Sequence, residues 1–331
     1  MPMKQALQRC PDLIVTPSSG EAYSRYSRWV TDIIASQVPL FEKASIDEFY
    51  VDLTGMDKFF GTARFARGLR ERIIEETGLP ISCGLSSARF ISKMATNAAK
   101  PNGFLEIPHG KETAFLWPLG IETINGVGKQ TEQLLKGYGF HTIGDLARTT
   151  PELLERIAGK WGEALWNKAW GRGSTTISTD WEQKSISHEN TFESDQTDPS
   201  FLNRELVRLT EKTAHELRCD GKMAGCVTVK IRYADFETTT RQERIDYTAL
   251  DDVLCKRVKE LFRQSWKSGR PVRLLGVRFS QLIATNLQMD LFERAAEKLN
   301  LYRAVDDIKE RFGRSSVTKA TVLRTGNDTA P

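Results

Sequence analysis

Paired cysteines are missing from this chain. Its five, Cys10, Cys83, Cys219, Cys226 and Cys255, lie far apart and repeat no spacing. That argues against a disulfide framework or a zinc module and fits a reducing cytoplasm. Four scattered histidines give no metal-binding pattern either. No apolar run is long enough to span a bilayer, and the residues after Met1 form no signal-peptide pattern, so a membrane or exported protein is not expected. A strong excess of one charge is also absent. The 47 Lys and Arg against 43 Asp and Glu leave +4, which is compatible with nucleic acid as a partner but does not demand it. What remains is an ordinary globular composition, 40% hydrophobic and 27% charged over 331 residues, enough for two or three domains with cores of their own.

Period and punctuation predict an α+β multidomain fold. Met3 to Arg9 reads as a short helix, Leu13-Ile14-Val15 as a brief strand, and Ser18 or Ser19 as the cap of a helix from Glu21 to about Gln37. A helix begins at Gly61-Thr62, shows Phe65, Leu69 and Ile73 on one face and closes at Gly78. A strand over Pro80–Leu85, a helix over Arg89–Ala99 and a strand over Phe104–Ile107 follow, predicting one sheet with helices packed against it. From Leu119 to about Gly173 the chain is helical and punctuated by glycine; Trp166 and Trp170, four apart, read as core. Thr175 to Gln183 is a polar linker. A second small α+β unit runs to about Leu282, with helices near Asn203–Arg218 and Leu250–Trp266 and strands at Val227–Tyr233 and Arg273–Ser280. The tail holds one further helix near Asn300–Phe312.

The densest information lies in Lys43-Ala44-Ser45-Ile46-Asp47-Glu48-Phe49-Tyr50-Val51-Asp52-Leu53. Phe49, Val51 and Leu53 alternate with polar neighbours, as in a half-buried strand. Adjacent residues on a strand face opposite ways. Asp47 and Glu48 therefore converge only where a turn feeds the strand, and Ala44-Ser45 supply residues for that turn. Such a pair suits a hard divalent cation such as Mg²⁺; a surface Asp-Glu pair at a strand end is the plainer alternative. Lys93 and Lys100 sit two turns apart on one predicted helix, where a cation at a helix C-terminus is favourable for its own sake. Ile124-Asn125-Gly126-Val127-Gly128-Lys129 reads either as a helix–helix turn or as a glycine hairpin whose backbone meets a phosphate. Lys230, Arg232, Arg273 and Arg278 alternate with apolar residues, as on a solvated sheet face or on one that follows a DNA backbone.

Ser45-Ile46-Asp47-Glu48 before an aromatic-rich strand resembles the second catalytic motif of the Y-family DNA polymerases, which copy past damaged template bases. The resemblance continues through Ser92-Lys93-Met94-Ala95 and Lys100-Pro101-Asn102-Gly103, the glycine hairpin, and strands at Lys184–Phe192 and Arg273–Phe279. It implies a right-hand polymerase: residual fingers and palm helices over 1–37, palm over 38–118, a helix-hairpin-helix thumb over 119–174, a linker over 175–183, a little finger over 184–282 and a tail over 283–331. It implies two Mg²⁺ ions, with Asp47 shared between them and Glu48 beside the one at the primer end. Lys100, and less directly Lys93, would meet the triphosphate of a deoxynucleoside triphosphate. Gly126, Gly128, Lys129, Lys230, Arg232, Arg273 and Arg278 would grip primer-template DNA.

Gln288-Met289-Asp290-Leu291-Phe292 resembles the pentapeptide that binds the bacterial sliding clamp, with Gln288, Leu291 and Phe292 as anchors. A monomer recruited to that ring is the expectation. The family pattern also places a further metal-binding aspartate and a steric-gate aromatic on a strand ahead of a stretch like Met1–Leu7. Neither Asp12 nor Asp32 sits in such a strand. The resemblance thus predicts a member without its first strand and part of its fingers. Its activity would be well below that of a full-length relative, or it would bind DNA and clamp without polymerising.

Overall fold

The computed structural model describes residues 1–56, 61–179, 182–285, 293–313, 316–318 and 320, with the backbone alone at 4 and 293–299. Two units divide the chain, Met1–Trp181 and Glu182–Pro331.

The first unit opens with α1 (Met3–Arg9) and α2 (Gly20–Gln37). Ser19 caps α2 by accepting from the Ala22 amide at 3.3 Å. Strands β1 (Phe41–Lys43) and β2 (Phe49–Val51) pair antiparallel, with Glu42 opposite Tyr50. Helix α3 (Thr62–Thr77) stops at Gly78, whose left-handed φ of 71° closes the last turn. Val30, Ile33 and Ile34 of α2 pack with Ile73 of α3 against Phe41, Phe49 and Val51. This buried seam fixes the hairpin on the two helices.

Strand β3 (Cys83–Leu85) lies parallel to β4 (Phe104–Glu106), with α4 (Arg89–Ala98) between them in sequence. A methyl group at Gly84 would sit 2.3 Å from the Ser92 carbonyl, so only glycine lets β3 lie this close to α4. Ile91, Met94 and Ala95 bury one face of α4 against the helices that follow: α5 (Glu112–Leu116), α6 (Lys129–Gly137), α7 (Ile143–Arg148), α8 (Pro151–Ala158) and α9 (Gly162–Ala169). Trp117, Trp161 and Trp166 pack on this core. The Trp166 indole N–H donates to Thr149 O at 3.0 Å, so its ring serves the interior.

The second unit is a four-stranded antiparallel sheet in the order β5-β8-β6-β7, formed by β5 (Ser185–Gln196), β6 (Lys222–Tyr233), β7 (Thr238–Thr248) and β8 (Val272–Ala284). Two helices, α10 (Pro199–Cys219) and α11 (Asp251–Ser265), cover one face. Val227, Val229, Ile231 and Tyr233 of β6 and Leu275, Val277 and Phe279 of β8 point into that core. Each such side chain contributes roughly 1.5–3 kcal/mol by leaving water. A final helix, α12, spans Glu293–Phe312.

Four sequence expectations change here. Leu13-Ile14-Val15 is not a strand; it lies between Pro11 and Pro17, Ile14 is 86% exposed, and no ladder among the described residues receives it. The strand expected from Pro80 begins only at Cys83, because the Ile81 carbonyl is taken by Arg70 Nε at 2.8 Å. The first unit holds two separate strand pairs among the described residues instead of one sheet; an alternating pattern says that a strand forms, not which edge it meets. Strand β7 carries no apolar alternation because it is an edge strand exposed along most of its length.

Candidate active site and nucleic-acid interface

The turn between β1 and β2 positions the acidic pair. The amides of Ala44 and Ser45 both donate to the Glu48 carbonyl, at 2.9 and 3.3 Å, closing the chain at the head of β2. Ser45 Oγ donates to Asp47 Oδ1 at 2.6 Å and accepts from the Asp47 amide at 3.3 Å. Asp47 is thus aimed by its own turn into solvent, and its Oδ2 has no protein partner among the described residues. Glu48, half-exposed beside it, forms an ion pair with Lys93 of α4. One helical turn earlier, Arg89 meets Glu42 of β1 at 2.5 Å and lies over the Tyr50 ring, 4.2 Å from its centroid. Two cations spaced i, i+4 on α4 therefore hold two glutamates of the hairpin.

The turn sets Asp47 beside Glu48, and α4 brings Lys93 to Glu48; the sequence had offered the two carboxylates for a metal and Lys93 for a triphosphate. Arg89 and Glu42 were missed, and the only available signal was the i, i+4 spacing of Arg89 and Lys93. The Lys93–Glu48 pair is partly in solvent, so it is worth at most about 1 kcal/mol. A metal ion or a phosphate competes easily at that price. Lys100 stands exposed in the turn that follows α4, and its side chain has no partner among the described residues. Among the described residues no third Asp, Glu, His or Cys converges on Asp47 and Glu48.

The glycine hairpin divides its labour. Gly126 has φ 103°, and a methyl group there would lie 2.8 Å from Trp161 Cζ2, so close packing within the protein already requires glycine. Gly128 faces open space and is the N-cap of α6, whose first turn no side chain caps. Lys129 is exposed at that helix start. Lys168 of α9, which sequence reasoning missed, donates to the Asn125 carbonyl at 3.0 Å and lies 5.5 Å from the Trp161 ring centroid. Burial pushes its ammonium pKa down.

On the second unit the register sorts the basic residues. Thr228 pairs with Arg278, Lys230 with Gly276 and Arg232 with Leu274, so Lys230, Arg232 and Arg278 share the face away from the helices. Arg244, paired with Cys226 on β7, joins them; it was missed because β7 was. Arg273 does not stand in that row. It falls in the register shift between the Leu274 and Val272 pairs, 4.9 Å from the Phe236 ring centroid. Lys230 is already partnered by Glu189 at 2.7 Å, across Gly276, whose missing side chain leaves room for both. Gln288, Leu291 and Phe292 lie outside the described residues. No helix among the described residues is long and apolar enough to cross a membrane.

Comparison with known proteins identifies the family. The model of the impB/mucB/samB family matches residues 1–97, and that of the impB/mucB/samB family C-terminal domain matches residues 183–291. The DNA polymerase IV of Dehalococcoides mccartyi strain CBDB1 is 36% identical across 98% of this chain and 84% of its own length. DNA polymerase IV 1 of Bacillus subtilis strain 168 is 32% identical across 98% of this chain and 80% of its own. A Y-family polymerase chimera of Dbh and Dpo4 shares the fold with a TM-score of 0.73 at 22% identity, over 86% of this chain and 83% of that one. DinB from Sulfolobus solfataricus shares it with a TM-score of 0.55 at 22% identity, over 86% and 84%. The chain belongs to the Y-family of DNA-directed DNA polymerases, among those of the DNA polymerase IV type.

Proposed function

We propose that this chain performs template-directed DNA synthesis past damaged bases and that nucleotidyl transfer takes place at the β1–β2 turn. The observation that carries the reading is the gathering of Asp47, Glu48 and Lys93 at one exposed point by elements 45 residues apart in sequence. Asp47 and Glu48 fit a hard divalent cation: both are carboxylates at the surface, and Ser45 holds Asp47 ready. Asp47 and Glu48 would hold Mg²⁺ there, as two ions, and the metal would supply Lewis-acid activation of a primer hydroxyl and neutralise triphosphate charge. Lys93 is the counter-charge that keeps Glu48 in place between substrates. Lys100 meets the β- and γ-phosphates of a deoxynucleoside triphosphate.

Primer-template DNA is held without sequence preference by Gly126, Gly128 and Lys129 in the first unit and by Lys230, Arg232, Arg278 and the outlying Arg273 in the second. Segment 288–292 binds a sliding clamp, and the protein works as a cytoplasmic monomer. Five free thiols support the compartment.

A second reading, a chain that binds DNA and clamp without polymerising, draws on the two-carboxylate site. Primer extension in Mg²⁺ separates the two. Extension that Asp47→Asn lowers about hundredfold or more supports catalysis at this turn. Tight primer-template binding with no extension above the Asp47→Asn level supports the second reading. Undiminished extension by Asp47→Asn would overturn the site.

A further inference from the structure

Within the second unit, α10 and α12 meet along a polar seam. Helix α10 presents His215 and Cys219, spaced i, i+4; α12 presents Asp306 and Glu310, spaced likewise. Cys219 Sγ lies 3.7 Å from His215 Nε2 and 3.8 Å from Glu310 Oε1. One ligand atom from each of the three lies within 4.8 Å of the others. We propose that His215, Cys219 and Glu310 form a binding site for a divalent transition cation of the zinc class, which staples α12 to α10.

Three features support it. A tetrahedron built from Zn–S of about 2.3 Å and Zn–N or Zn–O of about 2.0–2.1 Å has edges of roughly 3.3–3.7 Å. The two Cys219 separations match those edges within the adjustment of an exposed side chain. A thiol, an imidazole and a carboxylate together suit zinc better than magnesium or calcium, which prefer oxygen alone.

The imidazole is also oriented for the task. Its Nδ1 meets Asp306 Oδ1 at 2.8 Å, which leaves Nε2 free to ligate; Nε2 is also the ring nitrogen nearer Cys219 Sγ, at 3.7 Å against 4.0 Å for Nδ1. A ligating histidine that donates its other N–H to a carboxylate is the usual outer arrangement of a zinc site. Asp306 is itself locked by Arg218, through Nε at 2.6 Å and NH2 at 3.0 Å. Helix packing explains the buried Arg218–Asp306 pair. It does not explain why a thiol, a ring nitrogen and a carboxylate converge at its rim. Three protein ligands leave the fourth position to water on the exposed side. Because α12 starts directly after segment 288–292, the staple anchors the chain on the C-terminal side of that segment.

Cobalt titration of the whole protein under a thiol-free reductant tests the assignment. One equivalent of Co²⁺ should produce a thiolate-to-metal charge-transfer band, and Zn²⁺ should abolish it. Oxygen-only metal binding at Asp47 and Glu48 gives no such band, so the two sites are told apart. Cys219→Ser should remove the band, and Glu310→Gln should weaken Zn²⁺ binding about tenfold or more. Asp307→Asn, exposed on the same helix, should leave binding unchanged. Cys219 is itself exposed, so its substitution does not disturb the core. No charge-transfer band, or a band that persists in Cys219→Ser, would overturn the proposal.

Discussion

Replacing Arg218 by Met tests the buried network that underlies the second unit. The Arg218 side chain is 5% exposed and makes four polar contacts with three groups: Asp251 Oδ1 at 2.5 Å, the Ala249 carbonyl at 3.0 Å, and both oxygens of Asp306. The Tyr302 ring covers it, with its centroid 5.2 Å away. Methionine fills a similar volume but leaves two buried carboxylates without their cation, a loss of about 3–5 kcal/mol. At about 2–4 °C per kcal/mol for a domain of this size, the melting transition of the unit should fall by roughly 6–20 °C. Calorimetry on the whole chain reads it, and hydrogen exchange in α10 assigns it to the right unit.

Burial pushes the Asp306 carboxyl up, but the hydrogen bonds from Arg218 and His215 outweigh it and hold the pKa below the usual range. A depressed folded value gives stability that is present above the unfolded value and is lost as the pH falls through the folded one. The gap between wild type and Arg218→Met should therefore be widest near neutrality and close below about pH 4. A drop under about 2 °C at neutral pH, or a gap independent of pH, would refute the reasoning.

Glu189→Gln releases Lys230 from its ion pair, so primer-template affinity should rise. The salt dependence should steepen by about 0.9 in logarithmic slope, one added phosphate contact; anisotropy titrations at several KCl concentrations read both, and an unchanged slope would count against this sheet face. Gly126→Ala forces a side chain onto a φ of 103° and into Trp161. It should cost about 1–3 kcal/mol and shift Trp161 emission, whereas Gly128→Ala, in open space, should leave that emission as it was.

Much of this was legible because it is local. Helix α3 with its Gly78 stop, the Ser19 cap and the alternation on β6 and β8 each follow from residues within a few positions of one another. The acidic turn was legible for the same reason: Ser45, Asp47 and Glu48 are neighbours, and period-2 logic alone required a turn there. Strand β7 was not, because an edge strand exposed over most of its length carries no apolar stripe to reveal it. The short strands of the first unit were only partly legible, since a ladder depends on a partner edge that no local pattern names. The scattered histidines and cysteines read as noise in one dimension, yet His215, Cys219 and Glu310 meet in three.

Sequence alone therefore gave most of the helices, the family and the acidic turn as a candidate site, all properties of short stretches and their order. Tertiary structure alone decided that Lys93 answers Glu48, that Glu189 masks Lys230, that Arg273 drops out of the basic row, and that a thiol, an imidazole and a carboxylate share one rim. The physical reason is that charge and coordination act through space over a few ångströms. Lys93 and Glu48, Glu189 and Lys230, and Cys219 and Glu310 are separated by 41 to 91 positions of chain, and only packing of the cores brings them within reach.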